Sequence, residues 1–343
     1  MDTKKIGRQT VRFSSPPSIA GYGSAVGQME REGPLGQYFD FAGQDDTFGE
    51  KSWEKAETAL QKKALNFALE KAGLQADQLD YIFAGDLLNQ CIATSYSVRT
   101  QNVPFFGLYG ACSTMAESLS LAAMLLDGGF GQTIAALTSS HFCSAERQYR
   151  NPLEYGGQKP PTAQWTATGS AAVILTQSGK GPFLTHVTTG KVTDKGITDA
   201  NNMGAAMAPA AYSTLQAHFQ DTGREPSFYD LIVTGDLGSL GKEIVTDFFR
   251  RDGVDLTKNY DDCGCLLFDP QTQDVHAGGS GCGCSAVVLA GYLLRQMEAG
   301  KLKNLLFCGT GALHSPTATM QGESIPGICH AVAITTEQKG GAQ

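Results

Sequence analysis

Cys112 is the residue whose type and surroundings point most directly to chemistry. It lies in Tyr109-Gly110-Ala111-Cys112-Ser113-Thr114, among small residues, where a helical pattern begins. The preceding run, NVPFFGLYG, reads as a short buried strand leading into a turn. The following run, STMAESLSLAAMLLDGG, carries apolar residues at helical spacing and stops at Gly128-Gly129. A thiol at such a junction faces the positive end of the helix dipole and free backbone N–H groups. Both stabilise thiolate and lower the thiol pKa. The expectation is an activated cysteine, set against the simpler reading of a small hydrophobe packing a helix start.

Other groups with chemical potential are scattered along the chain. His141 and His314 each follow a hydrophobic strand pattern, TIAALTSS and NLLFCGTGAL. A lone histidine at a strand end is commonly structural, so neither is assigned as a base. Asp86 and Asp236 each follow a glycine at the end of a strand pattern. Such carboxylates could hold a hard cation or simply close a turn. Cys263 with Cys265, and Cys282 with Cys284, have C-x-C spacing. Zinc knuckles usually leave two to four residues between paired cysteines, so small core or loop thiols are the better reading. Residues 142–170 are polar, rich in Gly and Pro, and hold Arg147, Arg150 and Lys159. They read as a long loop, of the kind that contacts a ligand or covers an interface.

The elements that must position these groups come in duplicate. Asp80 matches Asp230, and Gly85-Asp86-Leu87 matches Gly235-Asp236-Leu237, at a constant offset of 150 residues. Upstream, WEKAETALQKKALNFALEKAG ends at Gly73 and MAPAAYSTLQAHFQDTG ends at Gly223, with Leu65 paired to Leu215 and Leu69 to Phe219. Each unit is an amphipathic helix, a glycine stop, a hydrophobic strand and a Gly-Asp turn. A second unit follows in each half: GACSTMAESLSLAAMLLDGG leads to TIAALTSSH, and GSGCGCSAVVLAGYLLRQMEAG leads to NLLFCGTGALH. Strands alternating with helices imply parallel or mixed sheets covered by helices. The expected halves are residues 1–180, with the insertion at about 142–170, and residues 181–343.

Composition narrows the function. The 343 residues provide ample core, and a net charge of −8 disfavours nucleic acid and anionic membrane surfaces as partners. The N-terminal MDTKKIGRQTVRF has no apolar core of a signal peptide, and no apolar run approaches a membrane span. Nine cysteines, an odd number without a compact framework, suggest reduced thiols.

A duplicated α/β domain with a cysteine opening a central helix resembles the thiolase and ketoacyl synthase superfamily. Read whole, the strings AGDLLNQ, YGACST, TSSH, AERQYRNPLEYGGQKP, MGAAMAPAA, DCG, AGGSGCGCSAVV and TGALHSP closely resemble the stage V sporulation protein AD family of spore-forming bacteria. The resemblance runs from GPLGQYFD to ESIPGICHAV. It implies an α/β thiolase-like fold, two pseudo-equivalent halves in a five-layer αβαβα arrangement, and by analogy a homodimer. It also implies binding of dipicolinic acid, or its calcium chelate, and uptake of that compound into the developing spore. The implied partners are membrane-embedded sporulation proteins of the same operon, and the implied place is peripheral on the inner spore membrane. No cofactor or resident metal is implied, although calcium could accompany the ligand.

Condensing enzymes of the superfamily take imidazole or amide groups from the second half. Here Asp236 and Gly281-Cys282-Gly283-Cys284 stand at the corresponding places. A carboxylate repels a developing oxyanion. Cys112 is therefore read as a vestigial nucleophile position with no catalytic assignment. The alternative is an acyl-transferring or condensing enzyme that uses it. The candidate ligand-binding set is Cys112, Ser113, Thr114, Asp86, Asn89, His141, Lys159, Asp236, Cys282 and His314. Backbone N–H groups, hydroxyls and cations of this kind suit a flat dicarboxylate.

Overall fold

The computed structural model describes residues 3–150, 153 and 157–337. The 150-residue repeat governs its layout. Helix α1 spans Trp53–Ala72, and its counterpart in the second half spans Met203–Thr222. Both start on a side-chain cap, Ser52 accepting from Lys55 N and Asn202 from Ala205 N. Both stop on a left-handed glycine, Gly73 and Gly223.

Ten principal strands follow in chain order: β1 Ser18–Val26, β2 Tyr81–Gly85, β3 Phe105–Gly107, β4 Thr133–Ser140, β5 Gly169–Thr176, β6 Phe183–Thr188, β7 Leu231–Thr234, β8 Tyr260–Asp262, β9 Asn304–Ala312 and β10 Gly327–Thr335. Their order across the sheet is β8-β7-β9-β10-β6-β1-β5-β4-β2-β3. Five strands of the second half thus mirror five of the first, joined where Ser18 meets Phe183.

The helices that matter to the site are α2 Ile92–Val98, α3 Thr114–Asp127, α4 Phe142–Tyr149, the already named Met203–Thr222 as α5, α6 Gly238–Arg251 and α7 Cys282–Val287. Helix α7 continues through a π-helical stretch, Val288–Leu293, into Leu294–Glu298. Layering follows from strand alternation. Ile134 and Ala136 of β4 face a central core with Met115, Leu119 and Ala123 of α3 and Val287 of α7. Leu305 and Phe307 of β9 enter the same core from the other half. Their neighbours point outward: Ala135 and Leu137 pack on Leu60, Ala64 and Leu65 of α1, and Leu306 and Cys308 pack on Met207, Ala211 and Leu215 of α5. The result is helix, sheet, paired central helices, sheet, helix.

Two local expectations change. The Phe105–Gly107 segment is an exposed edge strand, with Phe106 50% exposed, rather than a buried one. It has β2 on one side and nothing on the other among the described residues. The polar stretch 142–170 contains helix α4 and a short strand, Trp165–Thr166, paired in parallel with Gly279–Ser280. No helix among the described residues is long and apolar enough to cross a membrane.

Candidate functional site

Cys112 sits in a tight turn, Ala111–Ser113, that leads directly into α3. Ala111 adopts a left-handed φ of 49°, a costly conformation for a residue with a Cβ. The turn is held by its own side chains. Ser113 Oγ donates to Gly110 O at 2.7 Å, and Thr114 Oγ1 donates to Ala111 O at 2.7 Å. Both hydroxyls are therefore spent on backbone. Gly311 of β9 lets the second half approach, because a Cβ there would lie 2.6 Å from Gly110 O.

Asp236, just past β7, arrives behind the thiol. Its carboxylate accepts from Thr310 Oγ1 at 2.7 Å and from Gly281 N at 2.9 Å, and its charge bears on the Cys112 thiol. Gly281 reaches this position with a φ of +98°, a conformation that suits glycine. Asp236 is fully buried, and burial pushes its pKa up to about 6. Burial, and then the Asp236 charge, raise the Cys112 pKa well above the ordinary thiol value. The expectation of a lowered thiol pKa is thus overturned. The dipole of α3 is present, but a buried carboxylate facing the sulfur and the loss of solvent outweigh it.

In front of Cys112 lies a narrow recess, open at its mouth, with about 40 Å³ of room for a water-sized sphere. Its walls come from both halves: Leu87, Tyr109, Ala111 and Cys112; Ala145, Tyr149 and Arg150 from α4 and its cap; Thr166 and Ser280; Met203 and Met207 of α5; and Ala312 and His314 beyond β9. Tyr149 bonds to the Tyr109 hydroxyl and to Leu87 O. Arg150 pairs with Glu146, which Lys159 Nζ also approaches at 3.1 Å.

Of the ten sequence-named residues, Cys112 and His314 line this recess. Asp236 stands behind Cys112, and Cys282 packs beside it with Leu87 and Ala145 while its Sγ donates to Ser139 O at 3.0 Å. Asp86 is buried in a turn, accepting from Leu88 N at 2.8 Å, Thr94 N at 2.8 Å and Thr94 Oγ1 at 2.6 Å. Asn89 is exposed on the next turn, its N–H donating to Gln148 Oε1. His141 caps α4: its Nδ1 accepts from Cys143 N, and its Nε2 bonds Asp46 O at 2.8 Å. Lys159 lies over the Phe142 and Trp165 rings, outside the recess wall. Ser113 and Thr114 face the turn.

Several wall residues were not singled out from sequence. Met203 and Met207 look like ordinary core positions of an amphipathic helix. Tyr149 gave no signal beyond its place in the 142–170 stretch. Among the described residues, no group of three or more His, Cys, Asp or Glu side chains could hold a metal ion.

Solved structures with the same architecture include 3-oxoacyl-[acyl-carrier-protein] synthase III from Aquifex aeolicus VF5, 13% identical, with a TM-score of 0.56 over 93% of this chain and 99% of that one. Xanthomonas campestris OleA E117D is 15% identical, with a TM-score of 0.59 over 94% and 97%. Human mitochondrial 3-ketoacyl-CoA thiolase in complex with CoA is 10% identical, with a TM-score of 0.58 over 95% and 99%. At these identities the likeness establishes the fold. The sequence is also similar to stage V sporulation protein AD of Bacillus subtilis (strain 168), 47% identical over 339 residues that cover 99% of each chain. The family described as stage V sporulation protein AD matches residues 7–335. With its thiolase-type layers and near full-length match, this chain belongs to the stage V sporulation protein AD family.

Proposed function

We propose that this protein binds dipicolinic acid, or its calcium chelate, in the recess before Cys112 and takes part in its uptake into the developing spore. It does so as a binding protein rather than an acyl-transferring enzyme. The pairing of Cys112 with Asp236 carries this reading. A buried thiol beside a buried carboxylate is held protonated, and the protonated thiol is a poor nucleophile. The same position in a condensing enzyme needs a thiolate and donors for an oxyanion.

The partners on this reading are membrane-embedded sporulation proteins of the same operon, with the chain peripheral on the inner spore membrane. The two halves, residues 1–180 and 181–343, close around one ligand. A homodimer is favoured by the unequal ends of the sheet. Edge strand β3 exposes Phe106 and is followed by Tyr109, 46% exposed, whereas Tyr260 and Asp262 of edge strand β8 are buried. Sedimentation of the wild type and of Phe106→Asp tests this, with a shift from dimer to monomer expected.

Titration calorimetry with dipicolinate, with and without calcium, tests the ligand. Saturable binding is expected, and its absence overturns the reading. Incubation with acyl-CoA followed by intact-mass measurement tests the enzymatic alternative, for which an adduct on Cys112 would be the evidence.

A further inference from the structure

Two buried polar atoms on the recess wall have no partner among the described residues: Arg150 Nε and His314 Nδ1. Leaving such atoms unpaired is costly, and more so on a charged group. Arg150 is fixed in place. Its N–H donates to Glu146 O at 2.9 Å, its Nη1 pairs with the Glu146 carboxylate, and its side chain is 9% exposed. Glu146 is shared with Lys159, so two cations meet one buried carboxylate, while Asp274 acts on Lys159 from the exposed side.

His314 is close enough for the Arg150 charge to oppose its protonation, after burial the second cause of its lowered pKa. Its Nε2 lies 2.9 Å from Thr319 Oγ1. That hydroxyl has two acceptors in reach, His314 Nε2 and Ser315 O at 3.1 Å. When it donates to Nε2, the proton of the neutral ring sits on Nδ1, which then becomes a donor facing the recess. An anion bound beside Arg150 selects this tautomer.

We propose that Arg150 and His314 form an anion seat that fixes one carboxylate of a planar aromatic dicarboxylate and sets the recess's preference for charged over neutral ligands. The carboxylate accepts from Arg150 Nε–H and His314 Nδ1–H. The ring lies along Tyr109, Tyr149 and the apolar side chains of Leu87, Met203 and Met207. The far end meets the neutral Cys112 thiol. This seat rests on the dipicolinate reading above and assigns that ligand's orientation.

The test compares dipicolinate with its neutral isostere, pyridine-2,6-dicarboxamide, by calorimetry on the wild type, Arg150→Gln and Arg150→Lys. Thermal unfolding verifies the fold of each variant. Lys159 remains on Glu146 in both variants, so that carboxylate is not left alone. The wild type should prefer dipicolinate by about tenfold or more, as expected for a charge-assisted pair. Arg150→Gln should collapse that preference while leaving the diamide unaffected. Arg150→Lys should regain part of it, because the charge returns without the planar fork. Equal losses for both compounds, or unchanged dipicolinate affinity in Arg150→Gln, would overturn the seat while the dipicolinate reading stands. No binding of dipicolinate by the wild type would overturn both. Should Arg150→Gln unfold, His314→Phe carries the same comparison from the other side of the seat.

Discussion

Asp86 and Asp236 stand at equivalent points of the two halves, each one residue past a glycine at a strand end, yet their carboxylates face different partners. Asp86 closes its own turn, binding Leu88 N and both polar groups of Thr94. In the second half that service passes to Asp262 of β8, which accepts from Leu237, Gly238 and Gly264 N–H groups, each at 2.9 Å. Asp236 is thereby left to face the central turn, where its charge bears on the Cys112 thiol. The outer helices diverge in the same way. Glu57 of α1 is buried among Ser139 and Ser144 hydroxyls, and the residue 150 positions later is Met207, on the recess wall. The two halves share a backbone path, and their side-chain roles differ with the element that packs on each turn.

The largest expected contrast is in stability. Asp86→Ala strands two buried N–H groups, at about 1–3 kcal/mol each, so urea unfolding should show a loss of about 3 kcal/mol or more. Asp236→Ala strands one backbone N–H, that of Gly281, so its loss should be clearly smaller. Equal losses would break the contrast between the two turns.

A pH contrast comes next. Glu57, raised to about 8 by burial and the Asp86 charge, is protonated in the folded chain at neutral pH, whereas Asp236 at about 6 is mostly ionised. For an acid whose folded pKa is raised, the folded state binds more protons than the unfolded one. Its contribution is whole below the unfolded pKa and is lost as pH rises to the folded one. Glu57 should therefore cost stability between about pH 4.5 and 8, at up to about 1.4 kcal/mol per pH unit. Asp236 has spent its share by about pH 6. Glu30, raised to about 8 by burial, adds to the same slope. The histidines His186, His218 and His330, whose pKa values burial lowers, oppose this slope up to about pH 7, so the comparison is unfolding at pH 7 and pH 8, with lower stability expected at pH 8. Glu57→Gln should lessen that slope, with Glu30 and Asp262 keeping the rest, and Asp236→Asn should leave it; a slope untouched by Glu57→Gln would contradict the assignment.

Smaller effects sharpen the picture at the sulfur. Asp236→Asn removes the charge facing Cys112, so iodoacetamide labelling of Cys112 at pH 8, read by peptide mass, should rise about tenfold for each unit by which the thiol pKa falls. Unchanged labelling would mean that burial alone holds the thiol. Cys112→Ala should weaken dipicolinate binding by less than about tenfold, the scale of one neutral hydrogen bond. Full affinity in that variant would remove the sulfur from the binding surface.

Much of the scaffold was legible because local rules and the repeat agree. The stops at Gly73 and Gly223, the strands before Asp86 and Asp236, and the helix opening after Cys112 all follow from spacing and capping. Of the residues named from sequence, Cys112 and His314 are the two that line the recess. His141 and Lys159 sit near the wall in sequence but are turned away by an Asp46 carbonyl and by the Phe142 and Trp165 rings. Nothing local distinguishes Arg147, paired with Glu54 on the surface, from Arg150, aimed into the recess three residues later. The exposure of Phe106 depends on β3 being an edge, a property of strand order.

The sequence by itself determined the duplicated α/β architecture, the family and the cysteine at the start of a central helix, because these rest on periodicity, caps and strings of adjacent residues. Only the tertiary structure decided what that cysteine is. Its protonation depends on burial and on a carboxylate from the other half of the chain, and both exist only once the two halves have packed.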